Sequence, residues 1–98
     1  MKLFFRKYGY GPPLFILHGL YGSSDNWVTI ARSLSEKFTV YLPDQRNHGQ
    51  SPQSDLHDYN SMSQDLLELT GELKIKKIFL AGHSMGGKVA VNFALKWP

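Results

Sequence analysis

Residues 78–88 read Ile78-Phe79-Leu80-Ala81-Gly82-His83-Ser84-Met85-Gly86-Gly87-Lys88, and their pattern decides the fold. Four apolar residues closed by a glycine have the length and character of a buried strand. From Met85 onward the polar residues Lys88, Asn92 and Lys96 recur every fourth position among Val89, Ala90, Val91, Phe93, Ala94, Leu95 and Trp97, so the chain is helical with a wide apolar face. Between strand and helix lies Gly82-His83-Ser84-Met85-Gly86, a G-x-S-x-G pattern in a strand–turn–helix context. A serine at the tip of so sharp a turn needs a strained backbone, and small residues two before and two after it where the chain crowds. The helix N-terminus beside Ser84 favours developing negative charge. A plain connection can carry the same five residues, but the flanking strand and helix favour a nucleophile.

Upstream, Leu14-Phe15-Ile16-Leu17 and Phe38-Thr39-Val40-Tyr41-Leu42 read as two further buried strands, the second stopped by Pro43. Residues 2–7 form a short edge strand. Ser24 or Asp25 caps a helix with Trp27, Ile30, Ala31 and Leu34 on one face. Ser61 with Gln64 forms a capping box for a helix carrying Met62, Leu66, Leu69 and Leu73. Residues 44–60 read as a long polar surface loop. Strands alternating with helices give an α/β fold with a mostly parallel sheet and right-handed crossovers.

In such a sheet the loops leaving the carboxyl ends of the strands meet on one edge. His18-Gly19-Leu20-Tyr21-Gly22 therefore lies beside Ser84. An acyl-transfer transition state needs two N–H donors at its oxyanion, and the backbone N–H groups of Leu20 and Met85 are the choice. His18 is read as bracing the loop, with catalysis a minor option. In Asp44-Gln45-Arg46-Asn47-His48-Gly49, Asp44 and Arg46 are expected to pair across a tight turn, with Gly49 at positive φ. Asp55, His57 and Asp58 lack the spacing of a metal site, so no metal and no cofactor is expected.

Composition narrows the function classes. Ninety-eight residues make at most one domain, and 42% hydrophobic with 13% aromatic residues is enough for a core. Eleven basic against eight acidic residues give +3, without a basic block or interleaved aromatics, so nucleic acid is not an expected partner. Lys74, Lys76 and Lys77 read as a solvated turn. With no cysteine there is no disulfide, thiolate or Cys-based zinc chemistry. The start is too short in apolar residues for a signal peptide, and no stretch approaches a membrane span of about 20 residues, so a cytoplasmic protein is expected.

With these pieces in order, residues 14–97 resemble the α/β-hydrolase superfamily. LHGLYGSSDNW, DQRNHGQSP and GHSMGGKVAVNFAL are most similar to small bacterial esterases of the YbfF type and related acyl hydrolases. The resemblance implies a Ser-His-Asp triad and hydrolysis of acyl esters or thioesters. Carried onto this chain, Ser84 is the nucleophile, Leu20 and Met85 are the oxyanion donors, and Gly82 and Gly86 are the glycines of the turn. The triad order in this fold is Ser, then an acid, then His. All four histidines here precede Ser84, and neither an acid nor a histidine follows it. Residues 1–98 thus read as the N-terminal portion of such a domain, to be completed by further chain of the same fold or by self-association. A non-catalytic interaction module on this scaffold is one rival reading. A nucleotide-binding α/β domain is another, favoured by an acid at Asp44 but opposed by the lack of G-x-G-x-x-G and of a Walker lysine.

Overall fold

The computed structural model describes residues 1–20 and 22–97. Tyr21 therefore lies outside the described residues. The elements are β1 (Phe5–Tyr8), β2 (Pro13–Leu17), a 3-10 turn (Ser24–Trp27), α1 (Val28–Leu34), β3 (Thr39–Pro43), α2 (Tyr59–Glu72), β4 (Phe79–Gly82) and α3 (Met85–Lys96). The sheet order is β1-β3-β2-β4. β2 pairs in parallel with both β3 and β4, and β1 adds antiparallel to β3.

Side chains alternate across the sheet as a period of two requires. Phe15, Leu17 and Tyr41 point to one face and join Met62, Leu66, Leu69, Met85, Val89 and Phe93 of α2 and α3. Ile16, Val40 and Leu42 point to the other and pack with Ala31 of α1. Helices thus cover both faces of the sheet. Phe15 stacks on Tyr41 with ring centroids 4.7 Å apart, tying β2 to β3.

Several sequence expectations are corrected. The edge strand begins at Phe5, because Leu3 is drawn into the core and the Phe4 N–H donates to Ser51 Oγ at 2.9 Å. Ser23, not Ser24 or Asp25, caps the first helical turn. Its hydroxyl accepts from the Asp25 N–H, and its own N–H donates to Asn26 Oδ1. Ile30 faces outward, since the 3-10 turn resets the helical phase before α1. The cap of α2 is Asp58, which accepts the Ser61 N–H at 2.7 Å. An ionised carboxylate near a helix start meets unpaired N–H groups and the positive dipole end. The same N–H bond holds the Asp58 carboxyl below its ordinary pKa.

The turn after β3 is not a surface loop at its start. Asp44, Gln45, Arg46, His48 and Ser51 are buried. Asp44 does not pair with Arg46. It accepts N–H groups from Ser24 (2.6 Å) and Gln50 (2.9 Å), while Arg46 reaches Asp65 of α2 through two bonds of 2.7 Å. Gly49 takes the expected positive φ, 51°. β4 is not buried. It lies at the end of the sheet with Phe79 58% exposed.

Candidate active site

The turn between β4 and α3 places Ser84 at the helix cap with φ 54° and ψ −115°. The φ is positive and ψ lies outside the left-handed helical well, a strained region that costs a non-glycine residue about 1–3 kcal/mol. A serine at a helix cap ordinarily spends its hydroxyl on a free N–H of the first turn. Ser84 makes no such bond, and the residue is exposed. Its hydroxyl is therefore available. Strain and a spare hydroxyl at one residue are what a nucleophile requires.

The glycines explain how the chain turns so tightly. A Cβ on Gly86 would sit 2.6 Å from the His18 carbonyl oxygen and closer still to that of Leu17. One on Gly82 would sit 2.6 Å from the Gly87 nitrogen and overlap the Gly86 carbonyl. Both clashes are with backbone, which cannot swing away. Gly87 is under no such constraint, its nearest neighbour being 3.4 Å off.

The loop after β2 abuts this turn. The His83 N–H donates to the Leu17 carbonyl at 3.1 Å, and a Cβ on Gly19 would lie 3.4 Å from Ser84 Cβ. Among the described residues neither the Leu20 nor the Met85 N–H has a hydrogen-bond acceptor. The Leu20 side chain faces a cavity of about 410 Å³ with His48 and His57, whereas Ser84 opens on a neighbouring one of about 480 Å³ with Tyr59, Lys88 and Val91. A larger cavity, about 920 Å³, is elsewhere, under β4 and α3 beside Phe79, Phe93 and Trp97.

His18 is the brace of the loop. The Gln45 N–H donates to its Nε2 at 2.9 Å, so that nitrogen carries a lone pair, and Nδ1–H donates to the Gly19 carbonyl at 2.8 Å. Gln45 returns a bond from its side chain to the His18 carbonyl at 2.8 Å. Burial lowers the His18 pKa, overcoming the opposing effect of the Gly19 carbonyl. Both ring nitrogens are spent, so His18 has none left to take a proton from Ser84. The sequence reading missed Gln45 as the partner, although its position two residues after a strand was a signal. Asp55 and His57 are exposed, and Asp58 serves α2 as its cap.

The sheet order, the serine turn and the loop that abuts it together define an α/β hydrolase. Residues 12–98 match the family model described as the alpha/beta hydrolase fold, and the chain belongs to that family. It is 49% identical to the sn-1-specific diacylglycerol lipase ABHD11 of Xenopus laevis over 90 residues, 90% of this chain and 29% of that protein. It is 40% identical to esterase YbfF of Escherichia coli over 79 residues, 81% of this chain and 31% of that one. The solved structure of a marine microorganism esterase superposes with a TM-score of 0.96 at 53% identity, covering 97% of this chain and 37% of the other. The chain thus spans about a third of the length of these relatives. Among the described residues no helix is long and apolar enough to cross a membrane.

Proposed function

We propose that this chain carries the nucleophile half of a serine esterase acting on carboxylic esters or thioesters. The observation that carries the reading is Ser84 itself, a helix-cap serine at φ 54° whose hydroxyl makes no cap. In the proposed mechanism Ser84 Oγ attacks the acyl carbonyl carbon and gives its proton to a base. The tetrahedral oxyanion is held by the N–H groups of Leu20 and Met85, the alcohol or thiol leaves, and water releases the acid. Esterase and lipase names among the relatives support this substrate class.

The base is not within residues 1–98. His18 is fully engaged, His48 and His57 line the cavity beside Leu20 and not the one on which Ser84 opens, and His83 lies inside the turn. Without an adjacent base a serine hydroxyl is a weak nucleophile at neutral pH, so the chain alone is expected to be inactive. The reading assigns the acid, the histidine and the cover of the β4 flank to further chain of the same fold.

The test is a chimera in which residues 1–98 replace the matching third of the marine microorganism esterase. It is expected to hydrolyse short acyl esters, and Ser84→Ala is expected to lower kcat by several orders of magnitude with little change in folding. Near-normal turnover by Ser84→Ala would remove Ser84 from the mechanism. A folded chimera that binds a partner but never reacts with a fluorophosphonate would favour an interaction module instead.

A further inference from the structure

The strained turn and the loop after β2 meet through a side chain that the proposed chemistry does not use. His83, the residue before Ser84, presents its imidazole to Gly19, where an added Cβ would sit only 3.1 Å from Nδ1. The same ring lies against Trp27, with centroids 5.8 Å apart and planes tilted by 56°, the spacing of an aromatic pair in contact. Trp27 ends the 3-10 turn and is itself packed on the apolar cluster of Ile16, Ala31, Val40 and Leu42. The backbone of His83 is held as well. Its N–H donates to the Leu17 carbonyl at 3.1 Å, and its carbonyl accepts the Gly86 N–H at 2.9 Å.

Contact at Gly19 bears directly on the oxyanion donors. The Gly19 carbonyl and the Leu20 N–H belong to one planar trans peptide, so they point in opposite directions. Whatever fixes Gly19 therefore aims the Leu20 N–H. At the carbonyl, the His18 Nδ1–H donates at 2.8 Å and the Gly22 N–H at 3.0 Å. At the Cα, the space a Cβ would take is closed by His83 Nδ1, by the His83 carbonyl oxygen at 3.2 Å and by Ser84 Cβ at 3.4 Å. Hydrogen bonds thus set the peptide from one side and packing sets it from the other. Of the three packing groups, the imidazole is the one that a substitution can remove while leaving Ser84 and the backbone of the turn in place.

We propose that His83 is a positioning residue for the oxyanion hole. Its ring, steadied by Trp27, sets the spacing between the loop that carries the Leu20 N–H and the turn that carries Ser84 and the Met85 N–H. The proposal rests on the esterase reading and deepens it, giving His83 a packing role and no part in proton transfer. A misplacement of about 1 Å can cost on the order of 100-fold in rate, and losing one oxyanion donor costs at least as much. These donors are aimed at charge that develops only in the transition state. Loosening their spacing therefore lowers kcat and leaves KM nearly alone.

The test uses the chimera of residues 1–98 with the remainder of the marine microorganism esterase. His83 is exposed, so His83→Ala should leave the fold intact, which thermal unfolding checks. Its kcat for a short acyl ester is expected to fall about 10- to 100-fold, with KM changed less than about twofold. His83→Phe returns a flat ring without nitrogen atoms and should recover most of the rate. Affinity for a trifluoromethyl ketone, to which a serine adds to give an oxyanion, should fall and recover in step with kcat. If His83→Ala does not fold, Trp27→Leu withdraws the support of the ring instead, and should lower kcat several-fold with KM unchanged. A folded His83→Ala chimera with kcat close to the parent's, or a loss confined to KM, overturns the proposal and leaves the esterase reading in place. So does a His83→Phe chimera as slow as His83→Ala, since the ring nitrogens would then matter and packing would not. A chimera that hydrolyses no ester, or whose Ser84→Ala variant keeps its turnover, would sink the esterase reading itself.

Discussion

The turn after β3 and the flank formed by β4 and α3 reverse what hydropathy alone would assign. The turn is polar and buried, with Asp44 only 2% exposed. The flank is apolar and open, with Val91 61% and Leu95 80% exposed. In the turn every buried polar side chain finds a partner. His18 meets Gln45, Arg46 meets Asp65, and Asp44 holds the N–H groups of Ser24 and Gln50. On the flank Val91 and Leu95 belong to neither apolar cluster among the described residues. Burial thus follows the supply of partners, hydrogen-bonding in one region and apolar in the other.

The contrast is broken most severely at Arg46 and Asp65. Their side chains are nearly closed to solvent and joined by two bonds of 2.7 Å. Arg46→Met removes both bonds and leaves the buried Asp65 carboxylate with only the N-terminal ammonium of Met1, 3.7 Å away, a loss toward the lower end of about 3–5 kcal/mol. Arg46→Met with Asp65→Leu should recover most of it, because an apolar pair needs no partner. Urea unfolding of the three proteins checks this, and a double variant no better than the single would mean that the turn depends on the charge itself.

The next effect separates two adjacent glycines. Gly86→Ala drives a Cβ into the Leu17 and His18 carbonyls, and should cost about 1–3 kcal/mol or more. Gly87→Ala meets nothing closer than 3.4 Å and sits in a helix, where alanine is favoured by up to about 1 kcal/mol. Opposite signs in thermal unfolding are the expected outcome. Equal losses would show that the turn is less tightly packed against β2 than the structure has it.

This pair marks how far the sequence could be read. The serine turn was legible because its glycine spacing and its flanking strand and helix agree, and each is a local property. Gly86 was legible as a need for a small residue, but not its reason, since the Leu17 carbonyl comes from a different strand. The Asp44–Arg46 pairing failed on the same ground. Both residues found better partners about 20 positions away, Ser24 and Asp65, which proximity in sequence does not reveal. Asp58 and Ser61 are both sound helix caps, and the choice between them depends on whether one more turn of α2 can pack. A run of four apolar residues does not say whether a strand has one neighbour or two, so β4 read as buried. His57 was weighed only as a metal ligand, and its relation to His48 appears only once the turn is folded.

A milder disturbance of the polar turn comes from pH. Burial lowers the pKa of His18 from an ordinary 6.5, so the unfolded chain binds the proton more readily than the folded one. The contribution of neutral His18 to stability is complete above about pH 6.5 and is lost as pH falls from there toward the depressed folded value. Protonation would also set Nε2–H against the Gln45 N–H that it now accepts. Unfolding free energy measured from pH 7.5 to 5 should decline, and His18→Gln should flatten that part of the decline. An unchanged slope in the variant would show that His18 does not control it.

The open flank should respond least in stability and most visibly in association. Val91 and Leu95 are one helical turn apart on α3 and largely exposed. Replacing both with lysine removes no packing, so unfolding free energy should change by no more than about 0.5 kcal/mol. An exposed apolar helix face beside a strand with an unpaired edge favours self-association, and charge opposes it. Sedimentation of the wild-type chain at rising concentration should show a growing fraction above the mass of one chain, and Val91→Lys with Leu95→Lys should reduce that fraction. If Phe79→Lys on β4 reduces it instead, while the double variant on α3 does not, the strand edge rather than the helix face is the adhesive surface. A wild-type chain that stays monomeric at every concentration would show that apolar exposure on this flank is too dispersed to act as an interface.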